Sequence, residues 1–252
     1  MKKIIEGRSI VKVFGKGEEK STALNGVDVD ITQGEFIAIM GASGSGKSTL
    51  LFSLSGMDNI SDGSVKFCDI DLSQRNESEL ADLRRTRMGF VFQQPTMLRN
   101  LNLLDNIILP AMQGSKVIKC EIIQKAKKLM IETGISGLEK RDITEVSGGQ
   151  LQRAGICRAL INSPEILFAD EPTGALNSKS ANEIMELFSD INKDGTAILL
   201  VTHDPKVAAR ADRVLLTKDG KIISDIFLDK SSGENFDARV NIIIKQMAVI
   251  GI

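Results

Sequence analysis

One glycine-rich run in this 252-residue sequence has the composition and spacing of a phosphate-binding loop. The run GASGSGKS, at 41–48, fits the pattern G-x-x-x-x-G-K-[ST] and lies between the apolar run FIAIMG and the helix-like run STLLFSLSGM. Its glycines let backbone N–H groups turn toward phosphate oxygens, and the following helix adds its positive end. The residues that we expect to contact a nucleotide here are Gly41, Ala42, Ser43, Gly44, Ser45, Gly46, Lys47, Ser48 and Thr49.

Two side chains of this loop have separate predicted roles. Lys47 is placed to reach the β- and γ-phosphates of a nucleotide, and the Ser48 hydroxyl is placed to bind Mg²⁺. The alternative is a Gly/Ser-rich turn that matches the pattern by chance. The strand before the loop and the helix after it argue against that alternative.

A pair of carboxylates ends the apolar run ILFAD at 166–170 and begins the next segment. Adjacent carboxylates at the end of a buried strand are costly unless a cation or hydrogen bonds accept their charge. We expect Asp170 to hold Mg²⁺, directly or through water, and Glu171 to orient and deprotonate the attacking water. The alternative is a strand that simply enters a loop, and the nearby phosphate loop argues against it.

Three further residues are candidates for the same site. His203, the one histidine of the sequence, ends the apolar run AILLVTH, and ligands of open sheets bind at the carboxyl ends of strands. We expect it to contact the γ-phosphate, although a lone histidine is more often a hydrogen-bonded surface residue. Gln93, at the end of MGFVFQ, could bind Mg²⁺ or orient the water, with Gln94 as its competitor. Phe14 could stack on an adenine or could be an ordinary core residue.

The run VSGGQ, at 146–150, has the same physical features as the first loop. Ser147, Gly148 and Gly149 place unpaired N–H groups and a hydroxyl at the start of a helix, with Gln150 directly after them. One nucleotide cannot use both loops fully in one chain, because the loop at 41–49 already surrounds its phosphates. The second loop must therefore meet a different nucleotide or remain unused.

Short runs of apolar residues, without alternating polar residues, precede or contain most of these candidate site residues. Such runs indicate strands that are buried on both faces, and hence a parallel sheet covered by helices. They lie at 36–41, 88–93, 166–170 and 197–203. The runs at 64–72 and 213–227 alternate more, and the second contains an Asp-Gly turn, so we predict flanking antiparallel strands there.

Composition and length limit the class of protein. The formal net charge is −1, which argues against nucleic acid as the main partner and against binding to anionic lipid. The three cysteines form no CxxC pair and no zinc spacing, so we predict free thiols in a reducing cytosol. The longest apolar runs are far shorter than the roughly 20 residues of a membrane helix, and no signal peptide is evident. A separate chain would have to cross any membrane.

In this order along the chain, the motifs resemble those of an ATP-binding cassette (ABC) ATPase. The family's Walker A loop, glutamine loop, signature, Walker B motif, D-loop and switch histidine correspond here to GASGSGKS, Gln93, VSGGQ, ILFADE, GALN and His203. The resemblance covers the chain from about residue 4 to residue 227, and the combination with VSGGQ is specific to the family. Val146 stands where the family has Leu, and Asn177 stands where it has Asp, which puts communication between sites in question.

The resemblance implies an α/β fold of the P-loop NTPase class. It implies an ABC ATPase domain at 1–230, with a RecA-like core at 1–93 and 164–230 whose sheet is mixed, mainly parallel and flanked by antiparallel strands. A helical subdomain is expected at 94–163. A C-terminal helical tail is expected at 231–252, where the polar link DKSSGEN leads into FDARVNIIIKQMAVI, an amphipathic run that we expect to be a helix.

The resemblance also implies how the protein works. ATP and Mg²⁺ would be its cofactors, and two copies would bind head to tail, so that Ser147 to Gln150 contact the ATP of the other copy. A separate integral membrane permease would hold the chain at the cytoplasmic side of a bacterial membrane, and nucleic acid would not be a partner. Within the family, the motifs resemble the branch of macrolide-export, lipoprotein-release and cell-division transporters. The tail most resembles the bacitracin-type antimicrobial-peptide resistance ATPases.

Two other functional classes remain as alternatives. One is a soluble ABC protein of the DNA-repair or translation type, but such proteins usually have long coiled-coil insertions or two cassettes, and the net charge does not suit nucleic acid. The other is a regulatory module that switches on nucleotide binding without productive hydrolysis, for which Asn177 is the sole indication. Within the transport class, the alternative is the ATPase of a lipoprotein-release or cell-division type transporter.

Overall fold

The computed structural model describes residues 2–15, 17–113, 119–228 and 235–251 of the chain. Ten strands and eight α-helices lie within these ranges. The strands are β1 (Lys3–Phe14), β2 (Ser21–Thr32), β3 (Phe36–Gly41), β4 (Asp62–Phe67), β5 (Ile70–Asp71), β6 (Met88–Phe92), β7 (Ile166–Asp170), β8 (Ala197–Val201), β9 (Arg213–Lys218) and β10 (Lys221–Phe227). The helices are α1 (Lys47–Leu54), α2 (Glu77–Arg87), α3 (Leu103–Met112), α4 (Lys119–Glu132), α5 (Gly148–Leu160), α6 (Ser178–Lys193), α7 (Pro205–Ala208) and α8 (Phe236–Ile250).

The larger sheet has the strand order β10-β9-β3-β8-β7-β6. Neighbouring strands from β9 to β6 are parallel, and the edge pair of β9 and β10 is antiparallel. Strands β3 and β8 are buried at every residue, as expected for central strands that helices cover on both faces. The predicted α/β fold of the P-loop NTPase class, with a mixed and mainly parallel sheet, is confirmed.

One strand of this sheet differs from the sequence-based prediction. The run at 213–227 was expected to supply flanking antiparallel strands, and β10 does pair antiparallel with β9 through the turn at Asp219 and Gly220. Strand β9, however, lies beside β3 and runs parallel to it. A hairpin turn determines how its own two strands pair, but it carries no information about the neighbour on the other side.

The smaller sheet is antiparallel and has the order β2-β1-β4-β5. The run at 64–72 supplies β4 and β5, as predicted. The long hairpin of β1 and β2 was not predicted. Its pairing register shifts several times, and Ser9 has a φ of 46°, so the alternation of apolar and polar residues is interrupted within β1.

Helices α3, α4 and α5 pack around a core of their own. Leu103, Ile107, Met130 and Cys157 lie in this core, which is separate from the apolar clusters on the two faces of the larger sheet. The buried Asn106 side chain fastens the preceding loop to α3, because it accepts a hydrogen bond from Leu98 N at 2.7 Å and donates to Leu98 O at 3.1 Å. These helices fall within the range 94–163, whose boundaries as a subdomain remain a prediction.

Helix α8 packs against the larger sheet's apolar cluster. Val240 and Ile243 are buried there, and Lys218 Nζ donates to the carbonyl of Ile250 at 2.8 Å near the end of the helix. Arg239 donates to the carbonyl of Ala211. Most of the polar link DKSSGEN, at 229–234, lies outside the described residues.

The three cysteines are free thiols, as predicted. Cys120 is exposed, Cys68 is partly buried, and Cys157 is buried. Burial raises the pKa of the Cys157 thiol to about 12. Within the described residues, no helix combines the length and the apolar character that crossing a lipid bilayer requires.

Candidate active site

Four of the predicted site residues follow neighbouring parallel strands. Gly41 ends β3, Asp170 ends β7, Gln93 follows β6, and His203 lies two residues after β8. Because β3, β8, β7 and β6 are adjacent and parallel, their carboxyl ends lie at one edge of the sheet. The structure therefore brings together residues that are up to 162 positions apart, from Gly41 to His203.

The phosphate loop connects this edge to the start of α1. Gly46 is the N-cap residue of the helix and has a φ of 96°, a left-handed conformation that favours glycine. A Cβ atom at Gly46 would lie 2.5 Å from the carbonyl oxygen of Ala23, so a side chain would also collide with the neighbouring backbone. Helix α1 begins at Lys47, and its first N–H groups therefore point toward the loop.

The Lys47 ammonium group folds back onto the first residues of the phosphate loop. Its Nζ atom donates to the carbonyls of Gly41 at 2.9 Å and Ala42 at 2.8 Å. Burial lowers the pKa of Lys47, and the charges of Glu171 and Asp170 oppose that shift. Phosphate oxygens could replace the two carbonyls as partners of the ammonium group, since they carry full negative charge.

Ser48 and Asp170 form a pair that suits a divalent cation. Ser48 Oγ donates to Asp170 Oδ1 at 2.9 Å. Burial raises the pKa of Asp170, and the adjacent Glu171 charge adds to the shift. No group of three or more metal-binding acidic, histidine or cysteine side chains occurs in the described part of the chain. This donor set fits Mg²⁺, which usually takes one or two protein oxygens and completes its shell with phosphate and water.

Glu171 and His203 are in direct contact. His203 Nδ1 lies 3.0 Å from Glu171 Oε1, and the histidine side chain is 73% exposed. Glu171 has a φ of 48°, and its N–H donates to Val201 O at 3.0 Å. A left-handed conformation costs a non-glycine residue about 1 kcal/mol, so the fold holds this carboxylate in a position that its own backbone disfavours.

Gln93 and Phe14 both have exposed side chains. The Gln93 side chain is exposed and reaches the segment after β7, where a Cβ atom at Gly174 would lie 2.9 Å from its Nε2 atom. Gln94 is also exposed. Phe14 is 45% exposed, which excludes the alternative that it is an ordinary core residue, and Lys12 Nζ lies 4.8 Å from its ring centroid. Its role in stacking on a base remains a prediction.

The signature run caps α5 rather than approaching the phosphate loop. Ser147 N donates to Gln150 Oε1 at 2.9 Å, and Gln150 N donates to Ser147 Oγ at 3.3 Å. This reciprocal capping leaves the N–H groups of the two intervening glycines at the helix start. The nearest atoms to a Cβ at Gly148 or Gly149 belong to Leu176, just before α6, and to Ser180, in its first turn.

Two supporting contacts were not predicted from the sequence. Gln152 is 1% exposed, and its Nε2 atom donates to Phe92 O at 3.0 Å, so α5 holds the strand end that precedes Gln93. Asn177 is the N-cap of α6, because its Oδ1 atom accepts from Ser180 N at 2.9 Å. An Asn before a helix is a recognisable capping signal, whereas nothing in the sequence distinguishes Gln152.

Comparisons with known proteins agree with this geometry. A family model described as ABC transporter matches residues 24–174. The chain is 40% identical over 249 residues to the bacitracin export ATP-binding protein of Halalkalibacterium halodurans, covering 98% of this chain and 97% of that protein. It is 43% identical over 222 residues to the macrolide export ATP-binding/permease protein of Neisseria meningitidis serogroup A, covering 88% of this chain. The chain spans 34% of the length of that larger relative.

Solved structures give the same result. A bacterial ABC transporter cassette solved as a dimer has a TM-score of 0.84 at 36% identity, covering 90% of this chain and 99% of the cassette. A dimeric cassette in a post-hydrolysis state with ADP and phosphate has a TM-score of 0.83 at 35% identity, with the same coverage of 90% and 99%.

The parallel sheet, the phosphate loop after β3 and the carboxylates after β7 define a P-loop ATPase. The chain belongs to the ABC transporter family, as the match over 24–174 and the 40% identical relative show. It binds and hydrolyses ATP, the activity of the cassettes in this family. The expectations drawn from the resemblance about family, fold and ATPase activity are therefore confirmed.

Proposed function

We propose that the residues at the sheet edge bind and hydrolyse Mg-ATP in the following roles. The backbone of the phosphate loop and Lys47 hold the phosphates, and Ser48 and Asp170 hold Mg²⁺, with Gln93 as a further ligand. The metal would neutralise charge on the phosphates. Glu171 orients the attacking water and accepts its proton, and His203 contacts the γ-phosphate. The contact between Glu171 and His203 supports this assignment, because the two side chains proposed for these roles lie side by side.

The position of the signature run is the observation on which we propose that two copies of the chain pair. Its glycines lie beside the start of α6 and not beside the phosphate loop, yet their N–H groups form an anion-binding helix start. We infer that Ser147, Gly148, Gly149 and Gln150 contact the ATP of a second copy. Two chains bound head to tail would then enclose two ATP molecules, and hydrolysis would remove the γ-phosphate that joins the halves. The relatives solved as dimers support this arrangement.

A groove beside the edge strand β6 supports binding of a protein partner. It has a volume of about 690 Å³ and lies between α2, β6, α3 and α5. Met57, Leu109 and Met112 line it and are 40–44% exposed, while Arg84, Arg85 and Arg158 add positive charge. An apolar segment with an acidic side chain would suit this lining. We infer that a cytoplasmic segment of a membrane permease binds here and holds the chain at the cytoplasmic face of a bacterial membrane.

The substrate follows from the relatives and not from the cassette. The bacitracin export relative matches over nearly its whole length, which favours resistance to a peptide antibiotic as the process that this ATPase powers. A bacterial strain that lacks the chain should become more sensitive to bacitracin, and the Glu171→Gln variant should not restore resistance. Unchanged sensitivity of the deletion strain would favour a different substrate, such as a macrolide or a lipoprotein.

The activity of the purified chain tests the paired site. The rate of ATP hydrolysis per chain should rise with protein concentration, because each site needs a second copy. Ser147→Arg should abolish hydrolysis by placing a bulky cation in the signature run, while ATP binding to the isolated chain remains within about twofold of the original affinity. If Ser147→Arg weakens ATP binding to the isolated chain as strongly as Lys47→Ala does, the signature belongs to the chain's own site and the proposal is wrong.

A further inference from the structure

A buried pair of hydroxyl groups lies behind the phosphate loop. Ser45 is 6% exposed and Thr217, on β9, is 3% exposed. Ser45 Oγ lies 2.8 Å from Thr217 Oγ1, and Thr217 Oγ1 donates to the carbonyl of Met40 at 3.1 Å. Since the Thr217 proton is directed to Met40, the Thr217 oxygen accepts the proton of Ser45. A directed chain of hydrogen bonds therefore runs from Ser45 through Thr217 to the residue that precedes the loop.

Beside this pair, the backbone leaves no room for a side chain at Gly41. The register of the parallel strands places Thr217 directly opposite Gly41. A Cβ atom at Gly41 would overlap the carbonyl oxygen of Thr217 and would lie 2.6 Å from both hydroxyl oxygens. Gly220, in the turn after β9, also donates its N–H to Ser45 O at 3.3 Å. Strand β9 and its turn thus contact the phosphate loop at its first residue and at its middle.

We propose that Thr217 is a positioning residue for ATP binding, which acts through the hydroxyl of Ser45. The inference rests on the proposed role of the loop at 41–49 in holding the phosphates. Thr217 itself lies behind the loop and is buried, so it touches the loop and not the reacting atoms. By holding Ser45 in place it fixes the direction of the backbone N–H groups on either side of that residue, which are the groups that must converge on phosphate oxygens.

Removal of the Thr217 hydroxyl should loosen the loop. In Thr217→Val the Ser45 hydroxyl loses its acceptor while it remains buried, a situation that the loop can relieve by turning Ser45 away. The loop must then return to its original shape before it binds phosphate, and that cost reduces affinity. We expect the Kd for Mg-ATP and for Mg-ADP to rise about tenfold, and Thr217→Ser, which keeps the hydroxyl, to restore most of the affinity.

The experiment compares nucleotide affinity with stability in matched variants. The Kd of the purified full chain for Mg-ATP would be measured by titration calorimetry, and its unfolding temperature would be measured without nucleotide. Thr133→Val is the control, because Thr133 is 1% exposed and its hydroxyl bonds Leu129 O and Cys157 Sγ in the helical core, away from the phosphate loop. Both valine variants should lose stability to a similar extent, but only Thr217→Val should lose affinity.

Two results would overturn the proposal. One is an unchanged Kd in Thr217→Val, and the other is an equal loss of affinity in Thr133→Val. If Thr217→Val does not fold, Ser45→Ala removes the other hydroxyl of the pair. This variant should raise the Kd for Mg-ATP by about threefold, since Thr217 then keeps only its bond to Met40. An unchanged Kd in Ser45→Ala would also contradict the proposal. Lys47→Ala tests the proposed function of the loop itself. If Lys47→Ala retains its affinity for ATP, the proposed function of the loop is wrong. If Lys47→Ala loses ATP binding while Thr217→Val keeps it, only the positioning role of Thr217 is wrong.

Discussion

At the scale of single residues, each charged side chain of the sheet edge has a polar partner. Ser48 donates to Asp170, Glu171 contacts His203, and the Lys47 ammonium group rests on two loop carbonyls. The pairing limits the cost of burying these charges but does not remove it, because burial still raises the pKa of Asp170 and lowers that of Lys47. Phosphate and a divalent cation would supply the missing opposite charges.

Asp170→Asn tests this description of the residues. The raised pKa means that the Asp170 carboxylate is disfavoured in the folded chain. Its cost to stability is therefore absent well below the ordinary value of 3.8, grows as the pH rises from 3.8 to the folded-state pKa, and is complete above that pKa. At pH 7 the variant should unfold a few degrees above the original chain when no nucleotide is added, and the difference should vanish well below pH 3.8. Stabilisation by Mg-ATP should be lost. Thermal unfolding followed by circular dichroism measures both effects.

A matched substitution controls for the removal of any negative charge. Asp190, on α6, has a side chain that is 68% exposed and is paired with Lys193. Asp190→Asn should leave both the unfolding temperature and the response to Mg-ATP nearly unchanged, because exposed ion pairs contribute little to stability. A destabilised Asp170→Asn variant at pH 7 would contradict the account of the buried carboxylate.

The sequence predicts the residues of the site better than the contacts that support them. The loop at 41–48 and the residues after β7 and β8 are recognisable because their spacing is set by local chemistry, namely a glycine loop before a helix and polar groups at strand ends. The contact between Ser45 and Thr217 joins residues 172 positions apart. It depends on β9 lying parallel beside β3, which the sequence did not reveal.

At the scale of elements, the start of α6 explains the substitution in the D-loop. Asn177 stands where the family has Asp, and its side chain caps the helix by accepting from Ser180 N. Asn and Asp are comparable N-caps, so the substitution keeps the geometry of the helix start and removes one charge. The structure thus gives Asn177 a structural role that does not depend on altered communication between sites.

Substitutions of Asn177 should separate capping from charge. Asn177→Ala should lower the free energy of unfolding by about 1 kcal/mol, because the N–H of Ser180 loses its partner. Asn177→Asp should leave stability within about 0.5 kcal/mol and should support hydrolysis at a similar rate. Urea unfolding and a steady-state ATPase assay give the two readouts. Equal stability of the Ala and Asp variants would show that the cap contributes nothing.

Helix α8 behaves in the structure as part of the folded unit. Adjacent residues of this helix differ sharply in exposure, since Ile243 is 0% exposed and Ile244 is 47% exposed. Ile243→Ala should lower the free energy of unfolding by about 2–4 kcal/mol, and Ile244→Ala should change it by less than about 0.5 kcal/mol. Urea unfolding of the two variants measures the difference. If both substitutions have the same small effect, the helix does not dock on the sheet as described.

The elements themselves were unequally predictable. Central strands such as β3, β7 and β8 are short continuous apolar runs, and such runs indicate a buried parallel sheet. The β1 and β2 hairpin has long strands of mixed polarity with several shifts in register, so its pattern does not repeat at a period of two. Its existence becomes clear only when the strands are paired.

At the scale of the whole molecule, one chain holds a phosphate loop and a signature run, which we propose to be half-sites for different ATP molecules. The phosphate loop lies at the edge of the larger sheet, whereas the signature run begins α5 beside the start of α6. ATP can favour the paired state only through contacts that the isolated chain lacks, and the signature supplies such contacts in the proposed dimer. The central claim is therefore that ATP joins two copies of this chain.

The mass of the Glu171→Gln variant in solution tests that claim most directly. The substitution removes the proposed base but keeps the size of the side chain, so bound ATP should persist. Light scattering after size-exclusion chromatography should give 27.4 kDa without nucleotide and twice that mass with Mg-ATP. Adding Ser147→Arg to this variant should return the mass to 27.4 kDa in the presence of Mg-ATP. A single-chain mass for Glu171→Gln at high protein and ATP concentrations, or a dimer that persists in the double variant, would contradict the account.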